Sequence, residues 1–357
     1  MSECGREILK QRNIPLPQMD LFPTGSQYIS SYLEHLERYL QDSGKCQIHL
    51  NCEVLSIGRS SFLKREHINS SKRKGATFRA LIYNSAENKE RFIEDVQFLV
   101  DCSGTWNQPN HAGIGGIPAL GETRMISSGL IRQHIPNKER DAKLFLGKTV
   151  ALIGSGASAI TSLNALSSMA NQGEDVEVVW IVRRGGEPYS RVADDPLPQR
   201  DLLYSKGNEI SRGNHQVLGG RVKVSYLQCA NVLEFQEKEL GAGKKVSISL
   251  SIQISNCGFR PNTSIWDELQ VHQCYASSGP MKLAAALLSA GGGGGDCLSQ
   301  SSHGPETLCS PEPGFFVLGM KSYGRSSAFL LKIGHEQVRD VMTLIDKQAK
   351  EIVQTGG

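Results

Sequence analysis

The sequence predicts an α/β protein that contains a parallel β-sheet. From residue 147 the chain runs strand, helix, strand, with the segments TVALIG, ASAITSLNALSSMA and VEVVWIVRR. This order makes the two strands parallel and joins them by a right-handed crossover. Residues 47–104 hold three shorter alternating runs, which are typical of an antiparallel meander. The chain then ends with a strand, FFVLGM, and a long helix.

Size and charge limit the classes of function. The chain has 357 residues, enough for two or three domains. Its net charge of +3 is too small to favour nucleic acid or an anionic membrane as a partner. No apolar run approaches the ~20 residues of a membrane span, and the N-terminus lacks the apolar core of a secretory signal. We therefore expect a cytoplasmic protein with a small-molecule substrate, and leave self-association to a homo-oligomer open.

The cysteines predict neither a metal site nor a dithiol active site. No two of the nine form C-x-x-C, and their spacings match no zinc pattern. Scattered reduced thiols are the simplest interpretation. A disulfide reductase is disfavoured, because its chemistry needs two thiols within bonding reach.

The first part of the chain is predicted to hold one helix and three strands. In YISSYLEHLERYL apolar residues recur mostly at spacings of three and four, which indicates a helix, and Ser26 is a candidate cap. The predicted strands lie at 47–57, 76–84 and 92–104. The Ser/Lys-rich residues 59–75 are predicted to be a solvated loop, and the proline- and glycine-containing residues 106–146 an irregular connection.

The second half repeats the pattern of a strand followed by a meander. After a polar stretch at 185–219, in which Asp194-Asp195 indicates a turn, strand-like runs at 221–235 and 245–254 suggest a hairpin. Residues 258–314 are rich in Gly, Pro and Ser, and the tract Gly291–Gly295 indicates a loop. The last helix is predicted from about Ser327 to Ala349.

The turn between the first parallel strand and its helix has the spacing of a dinucleotide-binding loop. Gly154, Gly156 and Ala159 form G-x-G-x-x-A. The first glycine permits a tight turn, the second lets a pyrophosphate approach the backbone, and the small third residue lets helix and strand pack closely. The amides of Ser155, Ala157, Ser158 and their neighbours would then face the phosphates. The alternative is a packing turn without a ligand.

Two arginines at the end of the second strand predict which dinucleotide is bound. An NAD-binding domain usually has an acidic residue here for the ribose 2′-hydroxyl, whereas this chain has Arg183-Arg184. A guanidinium group can bind a 2′-phosphate through two hydrogen bonds. NADPH is therefore preferred to NADH. The alternative is that both arginines are solvated charges at a strand end.

Several segments together resemble the flavin-containing monooxygenases and related FAD-dependent pyridine nucleotide oxidoreductases. They keep the family's order and are LFPTGSQYISSYLEHL (21–36), VDCSGTWNQPNHAGIGGIPALGE (100–122), VALIGSGASAI (150–160), CGFRPNTSIWDEL (257–269) and EPGFFVLGMKSYGR (312–325). The resemblance implies an α/β fold with two dinucleotide-binding, Rossmann-like domains of the three-layer ββα type. It implies a partial FAD-binding domain at 1–146, an NAD(P)-binding domain at 147–257 and a return to the FAD-binding domain at 258–357.

The resemblance also implies where FAD would be bound. Ser103, Gly104 and Thr105 match the small-residue turn at which the flavin domain gives way to the nicotinamide domain. Gly319 and Met320 stand where many relatives have Gly-Asp against the ribityl chain, and Met320 lacks that acceptor. Backbone amides from Met320 to Arg325, at the start of the last helix, would face the isoalloxazine ring. Tyr323 and Arg325 are candidates to line the same site.

One expected part of the family pattern is missing. The family's chain opens with a strand and a G-x-G-x-x-G turn that binds the FAD pyrophosphate, and residues 1–45 contain no Gly-x-Gly. The flavin domain is thus expected to be incomplete at its N-terminus. A truncated gene model, a short isoform and a chain that has lost flavin binding all agree with this pattern.

Two functions follow from the sequence. The first is an FAD- and NADPH-dependent oxidoreductase of monooxygenase type, in which hydride passes from NADPH to the flavin and then to oxygen or another acceptor. The second is a non-catalytic NADP-binding remnant of such an enzyme. No Ser-His-Asp, Cys-His or paired-carboxylate arrangement predicts a catalytic side chain.

Overall fold

The structure is a computed structural model that describes residues 1–17, 23–191, 195, 197–236, 252–290 and 303–355. The chain divides into two compact units. We call Met1–Gly104 together with Pro261–Gly357 the terminal unit, and Thr105–Arg260 the central unit. The predicted turn at Asp194, the tract Gly291–Gly295 and most of the predicted strand 245–254 lie outside the described residues.

In chain order the described strands are β1 (Cys52–Arg59), β2 (Phe78–Asn84), β3 (Lys89–Val96), β4 (Leu99–Asp101), β5 (Ile131–Arg132), β6 (Thr149–Ile153), β7 (Val176–Ile181), β8 (Val222–Leu227), β9 (Ile252–Ser255) and β10 (Phe315–Val317). The described helices are α1 (Glu3–Gln11), α2 (Gly25–Tyr28), α3 (Glu34–Asp42), α4 (Glu122–Ser127), α5 (Lys138–Phe145), α6 (Ala157–Ala170), α7 (Pro198–Ser211), α8 (Met281–Ser289) and α9 (Leu331–Thr355). None of these helices combines the length and apolar character needed to cross a bilayer.

The predicted first helix is confirmed, with a different cap. A π-helical turn, Ile29–Leu33, joins α2 to α3. The cap is Thr24 rather than Ser26: its hydroxyl accepts from the Gln27 amide, and the Gln27 side chain accepts from the Thr24 amide. This reciprocal pair satisfies two amides that a helix start otherwise leaves unbonded. Helix α1, in a stretch that looked merely polar, was missed.

The predicted antiparallel meander is confirmed as the sheet β1-β2-β3. The third predicted run, 92–104, is instead two elements. It contains the end of β3 and the separate strand β4, which pairs in parallel with β10. Because side chains alternate along β10, Phe315 and Val317 pack against the meander side while Phe316 packs under α8 and α9.

A buried ion cluster ties the loop before β2 to the segment before β10. The Glu312 carboxylate accepts from Arg59 Nε and from Arg73 Nη2, both at 2.7 Å, and from the Gln270 amide at 2.7 Å. Arg73 and Glu312 are each 1% exposed. The prediction that 59–75 is a solvated loop is therefore wrong at Arg73, whose partner lies 239 positions away in the sequence.

The central unit is built on a parallel sheet in the order β5-β9-β6-β7-β8. The predicted βαβ unit is confirmed as β6, α6 and β7. The described strands of the predicted hairpin in the second half pair in parallel instead: β8 pairs with β7, and β9 pairs with β6 and β5. The rest of that hairpin, residues 237–251, lies outside the described residues. The sequence alternates at β8, the last strand of the sheet among those described, with Val222 and Val224 buried and Lys223 and Ser225 exposed.

Helices also occur where the sequence indicated irregular chain. In the stretch 106–146, α5 is capped by the Asn137 side chain and buries Phe145 against α6. Because β5 pairs with β9 as well, residues 105–146 belong to the central unit, whereas the sequence placed a boundary at 147. Helix α7 lies in the polar stretch 185–219 and α8 in 258–314.

The Glu312 cluster yields a prediction about stability. Glu312→Gln leaves two buried guanidinium groups without a carboxylate, so we expect the free energy of unfolding to fall by about 3–5 kcal/mol. Urea unfolding at pH 7 measures this loss. The exposed pair Arg79–Glu94 gives the control, because Glu94→Gln should cost less than about 1 kcal/mol. Equal losses in the two variants would contradict the assignment.

The same cluster predicts how stability depends on pH. Burial alone would raise the pKa of Glu312, but hydrogen bonds from Arg73, the Gln270 amide and Arg59 outweigh it and hold that pKa below its ordinary value. The stabilisation is thus present above the ordinary glutamate pKa of about 4.3 and is lost as the pH falls through the lower folded value. The difference in unfolding free energy between the wild type and Glu312→Gln should shrink over that acidic range.

Candidate functional site

The topology of the central sheet points to a crevice between β6 and β9. From β6 the chain moves outward through β7 to β8, then returns to β9 on the opposite side of β6. In open parallel sheets, ligands bind outside the carboxyl ends of the strands at such a reversal of strand order. The two segments that leave β6 and β9 there are the glycine loop, which we define as Gly154–Ala159, and the residues following Ser255.

The first glycine of the loop is required by a close contact with the neighbouring chain. Gly154 has φ of +124°, and a Cβ at this position would overlap the carbonyl oxygen of Asn256, just beyond the end of β9. Asn256 is itself fixed, because its amide donates to the Ile153 carbonyl and its side chain accepts from Ser162. Only glycine satisfies both the backbone angle and the contact.

The second glycine differs, because none of the described residues occupies the space beside it. Gly156 has φ of −87°, which any residue can adopt, and a Cβ there would meet no atom of the described ranges within 4 Å. No side chain in the part of the chain that the structure describes caps the start of α6, and Ser155, Gly156 and Ala157 are exposed. The first amides of a helix have no carbonyl partner within the helix and carry the positive end of its dipole. The loop therefore presents an open, uncapped set of donors suited to an anion.

The third small residue and Ser158 complete the predicted loop geometry. Ala159 is fully buried beneath the helix start, where a larger side chain would separate α6 from the sheet. Its amide donates to the Gly156 carbonyl at 2.9 Å. Ser158 is half-buried in the first turn of α6.

Both predicted arginines lie at the same edge of the sheet as the glycine loop. Arg183 and Arg184 are exposed and follow directly after β7, the strand next to β6. Within the described ranges, neither takes part in an ion pair. The charge of Arg183 acts on Cys257 beyond β9, where burial nevertheless keeps the pKa of the thiol above its ordinary value. The structure thus brings the arginines and the glycine loop together.

Sequence reasoning missed the aromatic residues beneath this loop. Trp180 on β7 donates its indole N–H to the Gly154 carbonyl at 2.8 Å, and the Tyr189 hydroxyl donates to the Gly156 carbonyl at 3.0 Å. Tyr189 is separated from Gly156 by 33 positions, so no local sequence pattern could have linked them.

A second polar group lies on the β9 side of the crevice. The buried Glu122 carboxylate accepts from the Ala112 and Ala119 amides, each at 2.8 Å, and lies 3.7 Å from His111 Nδ1. Asn110 donates to the Cys257 carbonyl at 3.2 Å. Together with the backbone bonds from the Asn110 amide to the Gly258 carbonyl and from the Arg260 amide to the Gln108 carbonyl, this bond holds the segments 108–111 and 257–260 side by side.

The residues predicted to contact FAD in the terminal unit meet at the carboxyl ends of β4 and β10. Ser103 and Gly104 follow β4, and a 3₁₀ turn, Gly319–Tyr323, follows its parallel partner β10. Gly104 has φ of +70° with open space around it. Thr105, buried, is the first residue of the central unit.

Most polar atoms at these strand ends are bonded to one another. Lys321 is 1% exposed; its ammonium lies 2.6 Å from Asp101 Oδ2 and donates to Ser103 Oγ at 2.9 Å. Asp101 also accepts from Ser103 and from the Trp266 indole. Burial works to raise the pKa of Asp101, but the contacts with Lys321 and Ser103 outweigh it and lower that pKa. The Gly319 amide donates to the Gln337 side chain at 2.9 Å.

The predicted row of amides from Met320 to Arg325 does not open the last helix. Helix α9 begins at Leu331, and the amides of Gly324 and Arg325 already donate to the carbonyls of Lys321 and Ser277. Tyr323 lies in the hydrophobic core under α8 and α9, with its hydroxyl buried. Met320 is half-buried and the Arg325 side chain is exposed.

The described residues hold no cluster of three or more His, Cys, Asp or Glu side chains that could bind a metal ion. All eight cysteines in the described ranges are free thiols.

Comparison with known proteins supports the fold. No protein-family model matches the chain, and no curated protein does. The crystal structure of T. acidophilum thioredoxin reductase matches with a TM-score of 0.50 at 15% identity, covering 88% of this chain and 81% of that one. At that identity the likeness shows the fold alone. It confirms the predicted fold class, an α/β protein with two Rossmann-like units.

Two other solved structures match at TM-scores of 0.48. One is an NAD-dependent persulfide reductase from A. fulgidus, at 12% identity over 85% of this chain and 46% of that one. The other is an FAD-bound cadaverine monooxygenase from Erwinia amylovora, at 10% identity over 88% of this chain and 72% of that one.

The two glycines of the loop are predicted to respond differently to the same substitution. Gly154→Ala forces a Cβ onto the Asn256 carbonyl at a positive φ, so we expect the free energy of unfolding to fall by about 2–4 kcal/mol. Gly156→Ala, which meets open space at an ordinary φ, is the matched control and should change it by less than about 1 kcal/mol. Thermal or urea unfolding measures both, and equal effects would contradict the geometry.

Proposed function

We propose that this chain is an FAD- and NADPH-dependent oxidoreductase of monooxygenase type, with the dinucleotide bound by the central unit. The observation that carries the proposal is the start of α6 beside Gly156, which is exposed at the reversal point of a parallel sheet and is capped by no described side chain. NADPH supplies a hydride when bound, and FAD passes electrons to oxygen or another acceptor. The residues of the chain bind and orient these groups.

The central unit fits NADP(H) well. The amides from Ser155 to Ser158 would donate to the two phosphates, and the absent side chain of Gly156 leaves room for them. Arg183 and Arg184 would hold the 2′-phosphate. A carboxylate at that position would repel this phosphate, so the arrangement favours NADP over NAD.

FAD is proposed for the terminal unit on the strength of the fold and of the turn at Ser103 and Gly104. Cys102 and Ser103, which follow β4, are exposed, and a Cβ on Gly104 would meet no described atom within 4 Å, so the backbone there is accessible. The Ser103 hydroxyl and the Gly319 amide, however, already have partners within the unit. This observation favours a second candidate function, an NADP-binding protein that does not turn over flavin.

The acceptor is proposed to be oxygen or a small molecule rather than a protein disulfide. The sequence has no C-x-x-C, and the eight described thiols are free. A disulfide acceptor needs a pair of thiols within bonding reach. We place the reaction in the cytoplasm, on the sequence reasoning given above.

NADP binding at the glycine loop is tested by ligand-induced stabilisation. A ligand at 100 times its dissociation constant stabilises the native state by about 2.7 kcal/mol, so NADP should raise the melting temperature clearly and NAD less. Gly156→Val places a branched side chain where the phosphates would lie and should abolish the shift without destabilising the free protein. Gly75 is another glycine whose Cβ would meet no described atom within 4 Å, and Gly75→Val should keep the rise in melting temperature with NADP. A Gly156→Val protein that still binds NADP would contradict the assignment.

FAD binding is tested by the absorption spectrum of the purified full chain. The oxidoreductase proposal predicts a flavin spectrum before or after addition of FAD, together with oxidation of NADPH. A chain that stays colourless with excess FAD, yet is stabilised by NADP, would contradict the flavoenzyme and support the second candidate function.

A further inference from the structure

Aromatic side chains beneath the glycine loop bind its carbonyl groups. Trp180, fully buried, donates to the Gly154 carbonyl, and Tyr189, 5% exposed, donates to the Gly156 carbonyl. A phenol is protonated at neutral pH, and burial raises the pKa of Tyr189 further above its ordinary value. Both carbonyls are therefore held toward the protein.

The orientation of each carbonyl fixes the orientation of the next amide. A trans peptide is planar, and its C=O and N–H point in opposite directions. With the Gly154 carbonyl held by Trp180, the Ser155 N–H points away from the protein interior. The Gly156 carbonyl is held by Tyr189 as well as by the Ala159 amide, so the Ala157 N–H does the same. These are two of the amides that the proposed function assigns to the phosphates.

A third aromatic donor acts on the turn that follows the arginines. The Tyr226 hydroxyl on β8 donates to the Gly186 carbonyl at 3.0 Å, while the Gly186 amide donates to the Gln228 side chain at 2.7 Å. These two bonds fix the chain two residues after Arg184. The Tyr226 ring packs on Trp180 with centroids 5.0 Å apart, and Trp180 lies 6.3 Å from the Tyr189 ring.

We propose that Trp180 and Tyr189 are positioning residues for the diphosphate of the dinucleotide, and that Tyr226 is a positioning residue for its 2′-phosphate. The inference rests on the proposed function of the central unit. One packed group of three rings would thus orient both the amides of the glycine loop and the arginines that follow β7. Each ring acts through backbone or arginine groups and touches no ligand itself.

A purely structural role for these rings makes a different prediction. If they only fill the core, losing one hydroxyl would lower stability and weaken all ligands alike. If they orient particular amides, the loss of affinity depends on which phosphates the ligand carries. Adenosine 2′-monophosphate has the 2′-phosphate but no diphosphate, so comparing it with NADP separates the two parts of the site.

The experiment measures the dissociation constants of NADP and of adenosine 2′-monophosphate for the full chain and three variants. Tyr189→Phe should weaken NADP about five-fold, the loss expected from one neutral hydrogen bond, and leave adenosine 2′-monophosphate unchanged. Tyr226→Phe should weaken both ligands about five-fold. Tyr204→Phe is the control: its ring stacks on Tyr189 at 4.8 Å, and it should change neither constant.

Trp180→Phe gives an independent arm, because it keeps an aromatic ring but removes the donor to Gly154. Like Tyr189→Phe, it should weaken NADP binding and leave the binding of adenosine 2′-monophosphate unchanged. The proposal is overturned if Tyr189→Phe binds NADP as tightly as the wild type, or if it weakens both ligands equally. Either result would leave the proposed function intact, since the wild type would still bind NADP. A wild type that binds neither ligand would overturn both.

Discussion

The close approach of Asn256 to Gly154 is the contact on which the proposed site depends. It brings the chain leaving β9 against the chain leaving β6, so the carboxyl ends of two parallel strands meet without a side chain between them. Because Gly154 must be glycine for this reason, its role is structural. Gly156, two residues later, is under no such constraint from the protein itself. The described contacts do not require a glycine at position 156, but its lack of a side chain would leave room for a phosphate.

The two units satisfy their polar groups in different ways. In the central unit, buried donors such as Trp180 bind loop carbonyls and leave the following amides facing outward. In the terminal unit, the charged and polar groups at the ends of β4 and β10 bind one another, as Lys321 and Asp101 do. Burying this pair is costly unless each group is fully bonded, which Ser103 and Trp266 help to achieve. The first arrangement leaves donors available for a ligand, whereas the second consumes them internally.

The sequence predicted what is encoded locally. The βαβ unit, the meander and the glycine spacing all follow from periodicity and turn chemistry within about 30 residues. The local sequence around Arg73 predicts a solvated residue because its partner Glu312 lies far along the chain. No local pattern predicts the role of Tyr189, because it lies 33 positions from Gly156, whose carbonyl it binds. The alternation at β8 predicted antiparallel pairing, whereas β8 pairs in parallel with β7, and periodicity alone does not distinguish the two arrangements. The FAD and NADP contacts assigned to individual residues are still predictions.

The most direct test of the central claim is a crystal structure of the full chain with NADP. The account predicts that both phosphates of the dinucleotide lie within hydrogen-bonding distance of the amides between Ser155 and Ser158, with the 2′-phosphate beside Arg183 or Arg184. A dinucleotide bound elsewhere, or one whose diphosphate faces away from the start of α6, would contradict it.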